Sequence, residues 1–256
     1  MKKINPYPGL RPFTEKESIF FKGRDLHIRQ IIRQLQEKKI IIITGASGDG
    51  KSSLVYAGVI PNARAGFFRA EYNNWVVCDF RPERTPLHNL SKTLSENLEI
   101  PVEKIEEDLQ LGFSSLIGIY KNSNFYIDKR SDTWKNASSD EQRKMHSKGA
   151  NLMILADQFE EFFTNPENYA GGVPSDDAYV TVNLLLESAG LAINENLPVY
   201  IIFTMRSDFI SESVSFKGLP EYIGYSQFLF HAYNENELQQ VIEEPLVLQE
   251  APFQSV

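Results

Sequence analysis

A glycine-rich loop between an apolar strand and an apolar helix restricts the fold of this chain more than any other feature of its sequence. The loop reads Gly45-Ala46-Ser47-Gly48-Asp49-Gly50-Lys51-Ser52, after the run Ile40 to Thr44 and before Leu54-Val55-Tyr56-Ala57. Glycines let such a loop curl until its backbone N–H groups point inward at an anion, and the next helix adds about half a unit of positive charge. The spacing therefore predicts a phosphate-binding loop.

Each part of this loop has an expected ligand group. The Lys51 ammonium reaches the outer phosphates of a nucleotide, and the Ser52 hydroxyl can bind a Mg²⁺ ion. The expected ligands are ATP or ADP with Mg²⁺. We expect nucleotide contacts from the whole loop and the serine that follows it, namely Gly45, Ala46, Ser47, Gly48, Asp49, Gly50, Lys51, Ser52 and Ser53.

Composition and charge limit the classes of partner. A chain of 256 residues has room for one main domain, and its formal net charge of -8 argues against a nucleic-acid or anionic-membrane surface. The single cysteine, Cys78, excludes a disulfide framework within the chain and a thiolate zinc site. No signal-peptide pattern follows Lys2 and Lys3, and no apolar run approaches the ~18 residues of a membrane span. We expect a cytoplasmic protein.

The sequence before the loop divides into a strap and a helix. Residues 1–24 are punctuated by prolines and aromatic residues, so they cannot form a long helix. We expect an extended strap across the domain, and the sequence leaves open whether this strap contacts the nucleotide or only packs. Apolar residues at helical spacing predict a helix from Asp25 to Glu37. The core domain is expected to span residues 25–256.

Buried strands and amphipathic helices alternate after the loop. Apolar runs predict strands over residues 75–80, 151–156, 198–204 and 227–230, in addition to the strand before the loop. This alternation predicts an α/β fold, a P-loop NTPase three-layer sandwich with a mostly parallel five-stranded sheet. A ligand of such a sheet belongs at the carboxyl ends of the strands.

The helices and one polar segment complete this plan. Leucines at spacings of three and four predict a helix over Pro86–Leu98, and a capping box of Asn234 and Glu237 begins a last helix that should stop at Pro245. Residues 121–149 are polar and predict a surface insertion whose basic and acidic side chains form a solvated face.

A second informative pattern is an apolar run that ends in acids. Asn151 to Ala156 is followed by Asp157, and Glu160 and Glu161 lie a few residues beyond. In a protein with a phosphate loop, a carboxylate at the end of the neighbouring strand joins the Mg²⁺ shell, because this hard cation prefers oxygen ligands. We therefore expect Asp157 at the metal together with Ser52. Glu160 or Glu161 is expected to activate the attacking water, and the sequence does not distinguish them.

An arginine ends the next predicted strand. Arg206 follows Phe203-Thr204-Met205 and precedes Ser207-Asp208. Such an arginine can contact the terminal phosphate and stabilise charge as that phosphate leaves, although a simple ion pair with Asp208 is the alternative. We place Arg206 with Glu160 and Glu161 among the candidate catalytic residues.

Several of these motifs together resemble a known family. The segments Asn5 to Phe13, Gly23-Arg24, Gly45 to Ser52, Asp157 to Phe163 and Arg206 to Phe209 resemble the NTPase module of bacterial STAND proteins, in the branch called novel STAND. The acidic pair after Asp157 is also similar to that of the related NACHT branch. The resemblance extends from residue 5 to about residue 245.

This resemblance implies a nucleotide-controlled switch. Family members rest as ADP-bound monomers and oligomerise when ATP-bound, with repeat sensors and an effector in the full-length protein, and several act in signalling or antiphage defence. The resemblance implies that Gly23 and Arg24 lie near the base and ribose. The lid, sensor and effector of the family are not recognisable within this sequence.

The leading hypothesis is therefore a Mg·ATP-binding switch with slow hydrolysis. The alternative is a scaffold or protein-interaction module that retains nucleotide without significant hydrolysis. A GTPase is disfavoured because no Asn/Thr-Lys-x-Asp sequence follows the fourth strand, and a transporter ATPase is disfavoured because no Ser-Gly-Gly-Gln signature is present. A small-molecule kinase stays open, without a recognisable acceptor motif.

Overall fold

A central parallel sheet organises the computed structural model, which describes residues 6–250, without the side chains of residues 249 and 250. The strands in chain order are β1 (Ile40–Gly45), β2 (Asn74–Phe80), β3 (Ala150–Ala156), β4 (Tyr169–Ala170), β5 (Val173–Pro174), β6 (Val199–Arg206) and β7 (Gln227–Leu229). Five of them form the sheet in the order β2-β3-β6-β1-β7, and every neighbouring pair is parallel. The predicted α/β fold with a five-stranded, mostly parallel sheet is confirmed.

Helices cover both faces of this sheet. They are α1 (Asp25–Lys38), α2 (Lys51–Ser53), α3 (Ile60–Arg64), α4 (Pro86–Leu98), α5 (Val102–Leu109), α6 (Ser115–Asn122), α7 (Asp132–Asn136), α8 (Ser139–His146), α9 (Glu161–Thr164), α10 (Asp176–Asn194), α11 (Leu219–Ser226) and α12 (Glu235–Glu250). Within the described residues, none of these helices has the length and apolarity that a membrane crossing requires.

The side chains of each central strand alternate between two cores, which explains why the strands read as unbroken apolar runs. In β1, Ile40 and Ile42 pack into the core under α4, α5, α6, α10 and α11. Ile41 and Ile43 pack into the opposite core, under α1 and the helical segment after the loop. Successive side chains of a strand point to opposite faces, so a strand covered on both sides needs apolar residues at every position.

The helical segment after the loop continues through Gly58 and Pro61 to Arg64. It consists of α2, a π-helical stretch over Leu54–Val59 and α3, with Pro61 in the first turn of α3. Proline is tolerated in a first helical turn because its missing N–H has no partner to lose there. Gly58 is needed in this stretch because a Cβ at that position would lie 2.8 Å from the Ile28 side chain.

The last helix differs from the sequence expectation. The capping box of Asn234 and Glu237 is present, with both reciprocal backbone contacts at 3.0 Å. The expectation that the helix stops at Pro245 is wrong, because α12 continues through this proline to Glu250. Proline removes one N–H and pushes carbonyls of the preceding turn aside. One of the carbonyls there, that of Ile242, accepts a hydrogen bond from the Tyr7 hydroxyl at 2.7 Å.

The polar segment over residues 121–149 carries α7 and α8. Neither helix contains a buried residue. Ser131 and Ser138 cap them, each accepting a hydrogen bond from a backbone N–H in the first turn of its helix. Of the predicted strap, residues 1–5 lie outside the described part of the chain. Contrary to the expectation, residues 6–24 are not extended throughout, because Glu15–Phe20 form a 3-10 helix. Within this segment Phe13 donates its backbone N–H to the Ser53 hydroxyl and contacts Phe21 edge-on.

Candidate nucleotide-binding site

The predicted site residues lie at the carboxyl ends of three strands, at one edge of the sheet. β1 ends in the glycine loop, Asp157 follows β3, and Arg206 ends β6, which lies between the other two strands. The register pairs Gly45 with Arg206. Parallel neighbours place their carboxyl ends together, so the sheet order itself brings the loop, Asp157 and Arg206 to one place.

The glycine loop is closed around its own polar groups. Gly48 and Gly50 adopt φ values of +83° and +92°, which L side chains rarely adopt. The Lys51 ammonium donates to the carbonyl oxygens of Gly45 and Ala46 at 3.0 and 2.7 Å. Lys51 is buried, and this burial lowers the pKa of its ammonium. The Asp49 carboxylate accepts the Ala46 N–H at 2.6 Å.

Asp157 is the centre of a hydrogen-bond network beside the loop. Its carboxylate is fully buried, and Oδ1 accepts hydrogen bonds from the Ser52 hydroxyl at 2.7 Å and the Thr204 hydroxyl at 2.6 Å. The second oxygen, Oδ2, lies 3.5 Å from Nη2 of Arg81. A hydroxyl and a carboxylate in contact are hard oxygen donors of the kind that Mg²⁺ prefers. The predicted pair Ser52 and Asp157 therefore fits a magnesium ion.

A cavity of about 610 Å³ opens over the loop. This volume is within the range of small-molecule sites, roughly 300–1,000 Å³. One wall is the strap from Tyr7 to Phe13 together with Phe21, and the floor is the loop from Ser47 to Ser53. The far wall is formed by residues at or near the carboxyl ends of the strands, and Tyr233 lies at one side. These residues are Arg81, Gln158, Glu160, Thr204, Arg206 and Tyr233.

The two candidate acids lie in different places. Glu160 lines this cavity, and its carboxylate accepts the backbone N–H of Arg206 at 3.2 Å. Glu161 instead accepts the backbone N–H of Glu83 at 2.8 Å and lines a separate surface depression with Arg84. Burial raises the pKa of the Glu161 carboxyl. The structure thus brings Glu160, and not Glu161, to the cavity above the loop.

Arg206 lines the cavity with part of its guanidinium unsatisfied. One nitrogen, Nη2, pairs with Asp208 at 2.6 Å, as the alternative interpretation expected. The Nε group is buried and has no hydrogen-bond acceptor among the described residues. A buried donor without an acceptor costs free energy comparable to a lost hydrogen bond, unless a ligand supplies that acceptor.

Gly23 and Arg24 lie against α12 and are not among the residues that line the cavity. Gly23 has φ +75°, and a Cβ there would lie 2.7 Å from the carbonyl oxygen of Glu237. Arg24 is buried and donates to the His231 carbonyl at 3.0 Å. Its guanidinium lies 3.5 Å from the ring centre of Tyr233, which does line the cavity. Arg24 therefore contacts a residue that lines the cavity, Tyr233, without lining it itself.

Sequence reasoning missed several residues of the site. Arg81, Thr204 and Tyr233 are among them, and all three line the cavity. Arg81 follows a strand in the sequence, which was a usable signal once that strand was placed next to β3. Thr204 lies inside an apolar strand, where a lone polar residue indicates a buried partner. For Tyr233, which precedes the last helix, we find no local signal.

Comparison with known proteins gives a family and a fold. The family model for Novel STAND NTPase 1 matches residues 6–255. No curated protein sequence matches the chain.

Three solved structures are similar to this chain, and the first of them supports the likeness in fold. The ADP form of the ORC2 protein of Aeropyrum pernix is similar with a TM-score of 0.51 and 14% identity, covering 95% of this chain and 55% of that chain. Its ADPNP–ADP complexes give 0.46 and 13%, covering 94% and 54%. A Walker-type ATPase of Pyrococcus abyssi gives 0.46 and 16%, covering 95% and 63%. The chain spans about half the length of the ORC2 protein.

Proposed function

The chain belongs to the novel STAND NTPase 1 family, and from this premise we propose that it is an ATP-binding switch domain that hydrolyses ATP slowly with Mg²⁺. The observation that carries this proposal is the contact between Ser52 and Asp157, at 2.7 Å, beside a cavity of about 610 Å³ lined by the glycine loop. A phosphate loop alone supports only anion binding, whereas this pair adds the oxygen ligands of a metal-bound triphosphate.

The residues around the cavity have complementary roles in this proposal. The backbone of residues 45–53 and the Lys51 ammonium hold the phosphates, and the aromatic strap residues cover the rest of the nucleotide. Ser52 and Asp157 hold a Mg²⁺ ion, which would supply positive charge to the β- and γ-phosphates. Gly23 and Arg24 contribute to the base end by supporting Tyr233 and the start of α12.

Hydrolysis is assigned to Glu160 and Arg206. Glu160 lies on the cavity wall, where a carboxylate can orient a water and accept its proton. The unsatisfied Nε of Arg206 supports its role as the donor that detects the terminal phosphate. Glu161 is the weaker candidate for the water-activating acid, because its carboxylate is committed to the Glu83 backbone.

Slow turnover follows from how Arg206 is held. Its guanidinium pairs with Asp208 at 2.6 Å and has to leave or share this partner before it can neutralise developing charge. An arginine supplied by a neighbouring molecule can be worth about 10³–10⁵ in rate, and a single copy of the chain lacks that contribution. A domain of this kind is suited to holding ATP as a signal and not to rapid turnover.

The wider setting of the proposal comes from the family resemblance. We propose that the domain works in the cytoplasm within a larger sensor and effector protein, in signalling or antiphage defence, and that its ATP-bound form self-associates. The net charge of -8 supports the expectation that neither nucleic acid nor an anionic membrane is a direct partner.

The test is nucleotide binding by calorimetry combined with phosphate release, with Mg²⁺ and with EDTA. We expect ATP and ADP to bind and phosphate release to depend on Mg²⁺, at below about 10⁻² per second. Nucleotide binding without Mg²⁺-dependent release would favour the alternative, a nucleotide-retaining scaffold. Turnover of many per second would contradict the slow switch, and failure to bind either nucleotide would overturn the proposal as a whole.

A further inference from the structure

Asp157 carries a negative charge that the folded chain has to neutralise. The residue is fully buried, and a buried carboxylate without a counter-charge is costly. The hydroxyls of Ser52 and Thr204 both donate to Oδ1. The other oxygen, Oδ2, has Arg81 as its cationic partner, at 3.5 Å. Among the described residues, no other lysine, arginine or histidine lies within salt-bridge distance of this carboxylate.

The fold fixes the position of Arg81 beside Asp157. The two residues follow the paired strands β2 and β3, and the Asp157 N–H donates to the Phe80 carbonyl at 2.9 Å. The side-chain amide of Asn89 on α4 donates to the Arg81 carbonyl at 3.1 Å. The backbone of Arg81 is thus held on two sides, while its side chain is 41% exposed and lines the cavity over the loop.

This arrangement places two cations in competition for one carboxylate. A Mg²⁺ ion at Ser52 and Asp157 would neutralise the carboxylate charge that Arg81 neutralises when no metal is bound. Two positive charges that share a partner repel each other, so the guanidinium has to withdraw when the metal binds. A partly exposed side chain can withdraw into the cavity at small cost, because water solvates it there.

We propose that Arg81 is a built-in counter-cation of Asp157 that Mg²⁺ displaces, so that Arg81 sets how tightly the nucleotide-bound protein holds its metal. The proposal rests on the proposed function, because it requires a metal at Ser52 and Asp157. Arg81 acts through Asp157 and is therefore a positioning residue. Its removal raises metal affinity, the opposite of what loss of a phosphate-binding arginine would cause.

The experiment measures metal affinity directly, with Mn²⁺ as a paramagnetic probe that accepts the same oxygen ligands. Free Mn²⁺ is titrated by electron paramagnetic resonance against the ADP-saturated wild-type protein and Arg81→Gln. Arg84→Gln is the matched control, since Arg84 follows the same strand, is 78% exposed and pairs with Glu167 outside the cavity. Arg81→Lys restores the charge. ADP affinity in EDTA is measured for every protein, and melting curves verify that each variant is folded.

We expect Arg81→Gln to bind Mn²⁺ about three- to fivefold more tightly than wild type, the range of a partly exposed ion pair. Arg84→Gln should match wild type, and Arg81→Lys should return the affinity toward it. Unchanged or weaker Mn²⁺ binding by Arg81→Gln would overturn the inference, while wild-type ADP binding in EDTA would leave the proposed function standing. If Arg81→Gln is unfolded, Arg81→Met, which also lacks the charge, takes its place: tighter Mn²⁺ binding than wild type supports the inference, and unchanged or weaker binding refutes it. Failure of the wild-type protein to bind ADP would refute both.

Discussion

Replacing Glu160 by glutamine should slow phosphate release strongly while leaving the fold and nucleotide binding intact. Among the described residues, the Glu160 carboxylate accepts one hydrogen bond, the long contact of 3.2 Å from the Arg206 backbone N–H, and the amide oxygen of glutamine can accept it as well. We expect a change in unfolding free energy within about 0.5 kcal/mol. Loss of a general base typically costs 10²–10⁴ in rate, so phosphate release should fall at least about a hundredfold, or about 2.7 kcal/mol in barrier height.

Glu161→Gln is the matched control, with the same chemical change one residue away. The glutamine keeps an acceptor for the Glu83 N–H at 2.8 Å. Burial raises the pKa of Glu161 in the folded protein. This group therefore contributes stability below its unfolded pKa of about 4.3, and the contribution is lost as the pH rises through the folded pKa. We expect Glu161→Gln to retain turnover and to be at least as stable as wild type at pH 7, with the difference disappearing near pH 4.

The assay is single-turnover phosphate release with Mg²⁺·ATP, beside melting curves at both pH values and ATP binding by calorimetry. The reasoning fails if Glu161→Gln loses as much activity as Glu160→Gln, or if Glu160→Gln hydrolyses at the wild-type rate. It also fails if ATP affinity falls in parallel with turnover, because the carboxylate would then act in binding and not on the water.

Two further predictions concern stability. Gly23→Ala should destabilise the protein by about 2–4 kcal/mol in a urea titration, because a Cβ there lies 2.7 Å from the Glu237 carbonyl and the residue has a positive φ. Gly66→Ala is the control, since Gly66 has φ +86° and no atom lies near its Cβ. Its loss of about 1 kcal/mol measures the backbone cost alone. Thr204→Val should lower the free energy of unfolding by about 2–3 kcal/mol, because it removes the hydroxyl that donates to buried Asp157 at 2.6 Å. Thr204→Ser keeps the hydroxyl and should lower it by no more than about 1 kcal/mol. Equal losses would contradict the hydrogen-bond explanation.

The sequence predicted the sheet well because of its burial on both faces. β1 and β3 lie between two helical layers, so each is apolar at nearly every position, and such runs are easy to recognise. The alternation of strands with helices then allowed few topologies. Because ligands of such sheets bind at the carboxyl ends of the strands, the sequence alone predicted that the loop, Asp157 and Arg206 lie together.

The sequence failed where a contact depends on distant parts of the chain. The predicted end of α12 at Pro245 is wrong, because the helix continues through this proline. The hydroxyl of Tyr7, more than two hundred residues away, donates to the carbonyl of Ile242 in the turn before Pro245. The two-stranded hairpin β4–β5 was not predicted, although Gly171 and Gly172, both at positive φ, are a usual signal for a tight turn.

Local sequence patterns also failed to identify some individual polar residues of the site. Arg81 is an ordinary residue after a strand until β2 is known to pair with β3, and only then does it become the partner of Asp157. The different positions of the Glu160 and Glu161 carboxylates likewise depend on where the turn after Asp157 directs each side chain. Gln158 in that turn adopts φ +58°, a left-handed conformation that residues other than glycine rarely adopt, and the sequence does not reveal it.

The central claim, that the loop binds nucleotide phosphate, is tested most directly by ATP binding to Lys51→Ala in calorimetry. Within the described part of the chain, the Lys51 ammonium makes hydrogen bonds only to the carbonyls of Gly45 and Ala46, so its removal should leave the fold intact. A charged hydrogen bond to phosphate is worth about 1.5–3 kcal/mol, and we predict a loss of ATP affinity of at least about tenfold with an unchanged circular dichroism spectrum. Binding of ATP by Lys51→Ala within about twofold of wild type would contradict the account.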